Sequence, residues 1–545
     1  MIDVLINNAL VYDGSGGAPF VADIGVTQDK IVFVGDFVGV DAGRIIDASG
    51  LVAAPGFIDV HGHSEFSLFA YPNADSKLLQ GVTTEINGNC GLSAAPILGA
   101  AIEHLEREFI TYDIKDRWHY LKDFYTSLQG IQPAINFATL IGHGNLRASA
   151  LGYEDVPATR LDIDKMGQLL RDAISQGAIG LSSGLIYCPG VYSDNDEIVD
   201  IINAAYANDL IYATHMRSEG DFLIESVKDT IEVARRTGIK IHLSHLKTAG
   251  SRNWHKIDEL ISVIEEARAS GIRLSCDRYP YTASQTSLDT VMPAWVYEGG
   301  DELELRRLAD SGQLNRIREE LRDRIENVPY WDSVMVSTVR SEKNKPLEGR
   351  RIGEIARYRG VEPFSLVTSL LIEERLGVDA IFFSMSEDNL RRILSLDVCM
   401  VGSDSSIRSY AGCVGKPHPR GFGAFPRYIS RYALSEGLMP LRSAIRKITA
   451  LPAETFGLRN RGVVREGAYA DIVLFDKERI IDCADFETPY SQPKGIEYVL
   501  VNGAVAVESG AIALRGGGRE EERRRAAPPP PQTSPARGPD PLTPY

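Results

Sequence analysis

The chain has 545 residues, 44% hydrophobic and 24% charged, which suits a folded protein with a large core and argues against overall disorder. Its formal net charge of −16 repels phosphate, which speaks against nucleic acid or an anionic membrane surface as a partner. Six cysteines without a CxxC pair indicate neither a disulfide framework nor a zinc ribbon, and most read as small buried hydrophobes.

The first residues, MIDVLINNALVYDG, lack a basic segment followed by an apolar run. No stretch of roughly 18 apolar residues could span a bilayer, so a cytoplasmic protein is expected. Residues 1–54 read as short strands broken by turns, among them Val4-Leu5-Ile6, Ile24-Gly25-Val26 and Lys30 to Gly35. The same texture returns within 436–515, at Ala470 to Phe475 and Tyr498 to Gly503, so the two ends are expected to meet as one small β-sandwich domain.

Between them, over 55–435, strand-like runs alternate with helical patterns, the signature of a parallel sheet with crossover helices. The runs at 57–62, 82–87, 137–142, 179–183, 211–215, 240–245, 273–277 and 398–403 predict an α/β protein built on a (β/α)8 TIM-like barrel. Ile257, Leu260, Ile261 and Ile264 share one helical face, and Gly271 stops that helix. Ser193, with Asp196 three residues on, is the expected N-cap of the helix carrying Ile198, Ile201 and Ile202. Ala380 to Met385 is a ninth strand candidate, and residues at about 285–350 are expected to form an inserted subdomain, a lid over the barrel. From Gly516 the tail holds eight prolines between 528 and 544, so 516–545 is expected to be disordered.

Chemistry concentrates where the strand-like runs end. Phe57-Ile58-Asp59-Val60-His61-Gly62-His63 places two imidazoles two residues apart, on one side of an extended segment, where both can face one metal. Gly81 to Gly91 runs into a glycine-flanked turn carrying Cys90, whose thiolate is a strong zinc ligand and can bridge two cations. His215 and His245 each close an apolar run. A histidine or cysteine taken singly is more often a satisfied core residue than a ligand; four histidines at the same end of barrel strands are not explained that way. Val398 to Ser406 puts Asp404 at the end of the last run, where a carboxylate can take a proton from water and return it to a leaving nitrogen, or simply cap the next helix.

The motifs APGFIDVHGHSE, GVTTEINGNCG, IGHGNLR, GLSSGLIYCPG, ATHMRSEG, SHLKTAGSRNW, DRYPYTAS, VGSDSS and HPRGFGAFPR together resemble the N-acyl-D-amino-acid deacylase (D-aminoacylase) family of the amidohydrolase superfamily, over about residues 1–515. The resemblance implies zinc-dependent hydrolysis of the amide bond of a small N-acyl-D-amino acid. It implies one tight zinc at Cys90, His215 and His245, a second weaker position at His61 and His63 sharing the cysteine, and catalytic Asp404. Lys247, Tyr279, Tyr281, Ser284 and Arg420 are the expected carboxylate contacts, Lys247 and Arg420 on charge as well. Glu85 is the reserve metal ligand, and His143 is expected to shape the pocket. Rival readings are a cyclic-amide hydrolase of the hydantoinase or dihydroorotase kind, which usually relies on a bridging lysine, and a silent interaction protein on the same scaffold. Side-chain and acyl preference and oligomeric state are not legible.

Overall fold

The computed structural model describes residues 2–513 except 38, 40, 207–209, 327 and 411–413. The expected proline-rich tail lies outside the described residues. Among those described, no helix is long and apolar enough to cross a membrane.

Strands from the two ends of the chain join in one nine-stranded sheet. The seam is an antiparallel pairing of Val52–Pro55 with Ile472–Phe475, in which Val473 faces Ala54. Ile2–Val11 occupies the middle of the N-terminal half, flanked by Phe20–Thr27 and Ala42–Asp47, with Val52–Pro55 extending the same edge. Val4, Ile6, Ile24, Ile46, Ile472 and Leu500 fill a core belonging to this sheet alone. Strand-forming β-branched residues supply most of it, so segments more than 400 residues apart are held by burial.

Eight parallel segments follow: Phe57–Asp59, Val82–Asn87, Asn136–Thr139 running on into Ile141–Gly142, Gly180–Gly184, Ile211–His215, Lys240–Leu243, Leu274–Asp277 and Cys399–Met400. Their hydrogen bonds form a three-stranded and a six-stranded parallel sheet, separated at Leu140, rather than one unbroken ladder. First and last strands meet through a single parallel bridge between Gly62 and Ser405 and the bond from Asp404 N–H to the His61 carbonyl, 2.8 Å. The runs expected at 240–245 and 398–403 end early, at Leu243 and Met400. Beyond those points His245 and Asp404 take left-handed backbone angles that no ladder continues.

The crossover helices follow their sequence signals. Ile257–Ala269 buries Ile257, Leu260, Ile264 and Ala267 against the barrel, leaving Ile261 half-buried; truncating Leu260 to Ala removes about 2–5 kcal/mol. The helix Asn195–Ala204 is capped by Asp194, whose carboxylate accepts the Glu197 N–H at 2.8 Å, rather than by Ser193, whose hydroxyl donates to the Gly190 carbonyl. The insertion also differs in extent. The ninth strand candidate, expected at Ala380 to Met385, forms as Val378–Phe382 and pairs with Ser284–Ser287 and Val334–Val339 in a separate antiparallel sheet. That sheet shares a core running from Leu288 to Ala380, so the inserted layer reaches past 350 to Phe382.

Candidate metal centre

The barrel gathers at one mouth side chains that lie between His61 and Asp404 in the sequence. Cys90 Sγ lies 3.3 Å from His61 Nε2 and 3.5 Å from His245 Nε2. The His215 and His245 rings are 4.4 Å apart, and neither His215 ring nitrogen, though buried, has a hydrogen-bond partner. Asp404 Oδ1 lies 3.2 Å from His63 Nε2 and 3.6 Å from His61 Nε2. Three overlapping donor sets result: His61, Cys90 and His245; His61, His63 and Asp404; and His215, Glu219 and His245.

The backbone at these positions is unusual. Cys90 (φ 53°), His245 (φ 37°) and Asp404 (φ 51°) all sit in the left-handed region, at a cost on the order of 1–3 kcal/mol each for residues carrying a Cβ. Each is thereby turned out of its strand direction at the mouth. The fit at Cys90 is close: a Cβ on Gly91 would lie 2.6 Å from the Gly184 N, so the turn needs glycine there.

The charge pattern suits a cation. Burial raises the Cys90 thiol, but His61 and His245 overcome that and hold it well below its usual range, so it stands as a thiolate. Burial lowers His61 while Asp277 and Cys90 raise it, to about 9. His245 reaches about 10 although burial and Lys247 both lower it, because Glu219 and Cys90 outweigh them. Burial lowers His215, and Glu219 only partly offsets it, leaving a neutral imidazole whose one unprotonated ring nitrogen can bind a cation. A thiolate, two carboxylates and an unpartnered neutral imidazole thus converge on one point, where protons on His61, His63 and His245 balance the negative charge. A divalent cation would balance it at the same place, with the soft and borderline donors that zinc prefers.

Next to this cluster stand the expected carboxylate contacts. Lys247, buried, is ion-paired with Glu219 and lies 2.9 Å from His245 Nδ1. Arg420 Nη1 is 2.7 Å from Asp404 Oδ2. The Tyr279 ring lies between cations, with Arg278 at 4.1 Å, Arg420 at 4.6 Å and Lys247 at 5.9 Å from its centroid. Its hydroxyl is buried without a partner. Burial raises that phenol, and Lys247, Arg278 and Arg420 bring it below its usual value. Tyr281 turns elsewhere: its ring lies 4.7 Å from Arg427, which pairs with Asp482. Ser284 opens the edge strand of the insertion, opposite Phe382.

Two further expected residues have partners of their own. The Glu85 carboxylate is held at 2.8 Å by the buried Lys77 ammonium, with Asp59 on the same ammonium at 2.7 Å. His143 is bonded to Glu197 at 2.7 Å, in a buried cluster shared with Arg147. Three neighbours were missed. Glu219 lies in ATHMRSEG four residues after His215, a spacing that could have flagged it. Tyr187, in GLSSGLIYCPG, has its ring 5.1 Å from His215 and its hydroxyl 3.3 Å from Thr286 of the insertion. Asp277 closes the run at 273–277 and touches two histidines.

A parallel barrel whose strand ends carry thiolate, imidazole and carboxylate donors around one point defines a metal-dependent hydrolase class. The Amidohydrolase family model matches residues 44–280 and 320–507. An N-acyl-D-glutamate deacylase of Alcaligenes xylosoxydans xylosoxydans is 33% identical over 507 residues, 92% of this chain and 93% of the relative. An N-acyl-D-glutamate deacylase of Bordetella bronchiseptica, solved with zinc and a phosphonate mimic of the tetrahedral intermediate, is 30% identical. It matches with a TM-score of 0.79 over 94% of this chain and 100% of that one. A D-aminoacylase studied for one-metal activation and second-metal attenuation at its binuclear centre is 33% identical, TM-score 0.79, over 95% and 98%. The chain belongs to the amidohydrolase family.

Proposed function

We infer that this protein hydrolyses the amide bond of N-acyl-D-amino acids, releasing a carboxylate and a D-amino acid. One observation carries the reading most directly: Cys90 Sγ within 3.5 Å of both His61 and His245, with Asp404 3.2 Å from His63 at the same barrel end. Relatives at 30–33% identity over nearly the whole chain, named for this substrate class, support it.

Cys90, His215 and His245 are the residues proposed to hold one zinc tightly, with His61 and His63 completing a weaker position that shares the thiolate. The chemistry zinc supplies there is polarisation of the amide carbonyl and acidification of a water. Asp404 is proposed to orient that water, take its proton and return it to the leaving nitrogen, which must be protonated to depart. Arg420, Lys247 and the Tyr279 hydroxyl are proposed to receive the substrate carboxylate; concentrated cation is needed there to overcome the repulsion of a chain of net charge −16. Thiol ligation favours a reducing compartment, and the five described cysteines are all free, in keeping with the cytoplasm.

The cyclic-amide reading expects a lysine bridging two metals. The buried Lys77 is instead bound to Asp59, Glu85 and Ser403. A panel of N-acetyl-D-amino acids, their L-enantiomers and hydantoins, with zinc-replete and chelator-stripped protein, tests the reading by amine released. Turnover of the D-series alone is expected. No amine from any D-substrate, or preferential opening of hydantoins, would sink it.

A further inference from the structure

His242 lies on the strand Lys240–Leu243, three residues before His245; it is fully buried, and the chemistry above makes no use of it. Its Nδ1 lies 2.8 Å from Ser275 Oγ and its Nε2 2.9 Å from Asp277 Oδ2. The same Asp277 oxygen lies 3.2 Å from His61 Nδ1. Ser275, His242, Asp277 and His61 therefore form one chain of contacts under the mouth, from three separate strands.

The hydrogens along this chain follow from the distances. His242 Nε2 lies against the Asp277 carboxylate, which can only accept, so a neutral His242 carries its proton there and its Nδ1, 2.8 Å from Ser275 Oγ, is the acceptor of that contact. Asp277 is wholly buried, and its other oxygen has no partner. Its Oδ2, 2.9 Å from His242 Nε2 and 3.2 Å from His61 Nδ1, is placed to accept from each. In the neutral form that can bind a cation, His61 therefore keeps its proton on Nδ1, toward Asp277, and turns the lone pair of Nε2 toward Cys90 and Asp404. Little slack remains, because a Cβ on Gly402 would lie 2.4 Å from His61 Cβ and 2.7 Å from Asp277 Oδ1.

We propose that Asp277 and His242 are positioning residues that set the tautomer and ring orientation of His61, and through it the affinity of the His61–His63 metal position separately from that of Cys90, His215 and His245. This rests on the metal-dependent reading above. The contrast within the site supports it, since His215 and His245 take their carboxylate contact from Glu219 and neither touches Asp277. A carboxylate behind a metal-bound histidine contributes about ten- to hundred-fold in affinity.

The test titrates Zn2+ into chelator-stripped protein by calorimetry, with metal content by mass spectrometry and thermal unfolding followed in parallel. Asp277→Asn is expected to weaken the second equivalent about ten- to hundred-fold while the first is unchanged. His242→Leu is expected to do the same in lesser degree, and His242→Gln, which restores an N–H toward Asp277, to recover part of it. If Asp277→Asn does not fold, the two His242 variants carry the comparison. Equal weakening of both equivalents, unchanged binding of both, or a single equivalent in the parent protein overturns the proposal. A parent protein that binds no zinc at all overturns the underlying reading instead.

Discussion

Two buried polar clusters lie a few residues apart on the first two barrel strands, and they are built in opposite ways. Around Lys77 every strong group is matched: the ammonium meets Asp59, Glu85, Ser403 Oγ and the Ser405 carbonyl at 2.7–3.1 Å. Around Cys90, a buried imidazole has no partner, and three residues hold left-handed backbone angles. A fully paired cluster resists change and joins strands one, two and eight. A cluster left short of partners and held under backbone strain is suited to receive a ligand. Sequence placed Glu85 in the second group; its pairing puts it in the first.

The comparison is sharpened by exchanging a residue on each side. The largest effect is expected at Cys90→Ala, which removes the shared thiolate: kcat/KM should fall about a thousandfold or more, with zinc content lost and the unfolding transition retained. Asp404→Asn should lower kcat by about 100- to 10,000-fold with zinc content intact; an unchanged kcat would remove Asp404 from the chemistry. Lys77→Met is the opposite case. It leaves Asp59 and Glu85 facing each other unpaired, and a loss of about 3–5 kcal/mol in urea unfolding is expected, with whatever folds still binding zinc. If Lys77→Met instead abolished zinc binding in a folded protein, the division between the two clusters would fail.

Smaller effects test the margins. Arg420→Gln and Lys247→Met should raise KM about tenfold or more, in line with losing a charged hydrogen bond of about 1.5–3 kcal/mol, more for the carboxylate substrate than for its amide. The weakest effect concerns Glu65, which accepts the Gly88 N–H at 2.6 Å and is raised by burial to about 7, against the opposing pull of His63. Between the ordinary glutamate value and 7, the folded state holds a proton that the unfolded chain has released. This contribution to stability is therefore present at low pH and lost as pH rises through that window. Glu65→Gln should flatten the slope between pH 5 and 7 in urea unfolding.

The sequence shows the site ligands more readily than the groups that orient them. His61, His63, His215, His245 and Asp404 follow apolar runs, where a polar residue is conspicuous, and Cys90 lies in a glycine-flanked turn. Glu219, Asp277 and Tyr187 sit among ordinary loop or strand residues, and only their contacts single them out. Asp194 and Ser193 were equally good caps by type, and backbone geometry chose the former. The extent of the insertion depended on Val378–Phe382 pairing with Val334–Val339 and with the still more distant Ser284–Ser287, which no local pattern reveals.

Residue types and their periodicity determined by themselves the alternation of strands and helices and the pairing of the two chain ends, because burial depends on side-chain chemistry that is written locally. Tertiary structure alone decided which carboxylate binds a lysine and which stands behind a histidine, which tyrosine faces the site, and how first strand meets last. Those outcomes depend on distances of a few ångströms between residues hundreds of positions apart, and a linear pattern does not encode them.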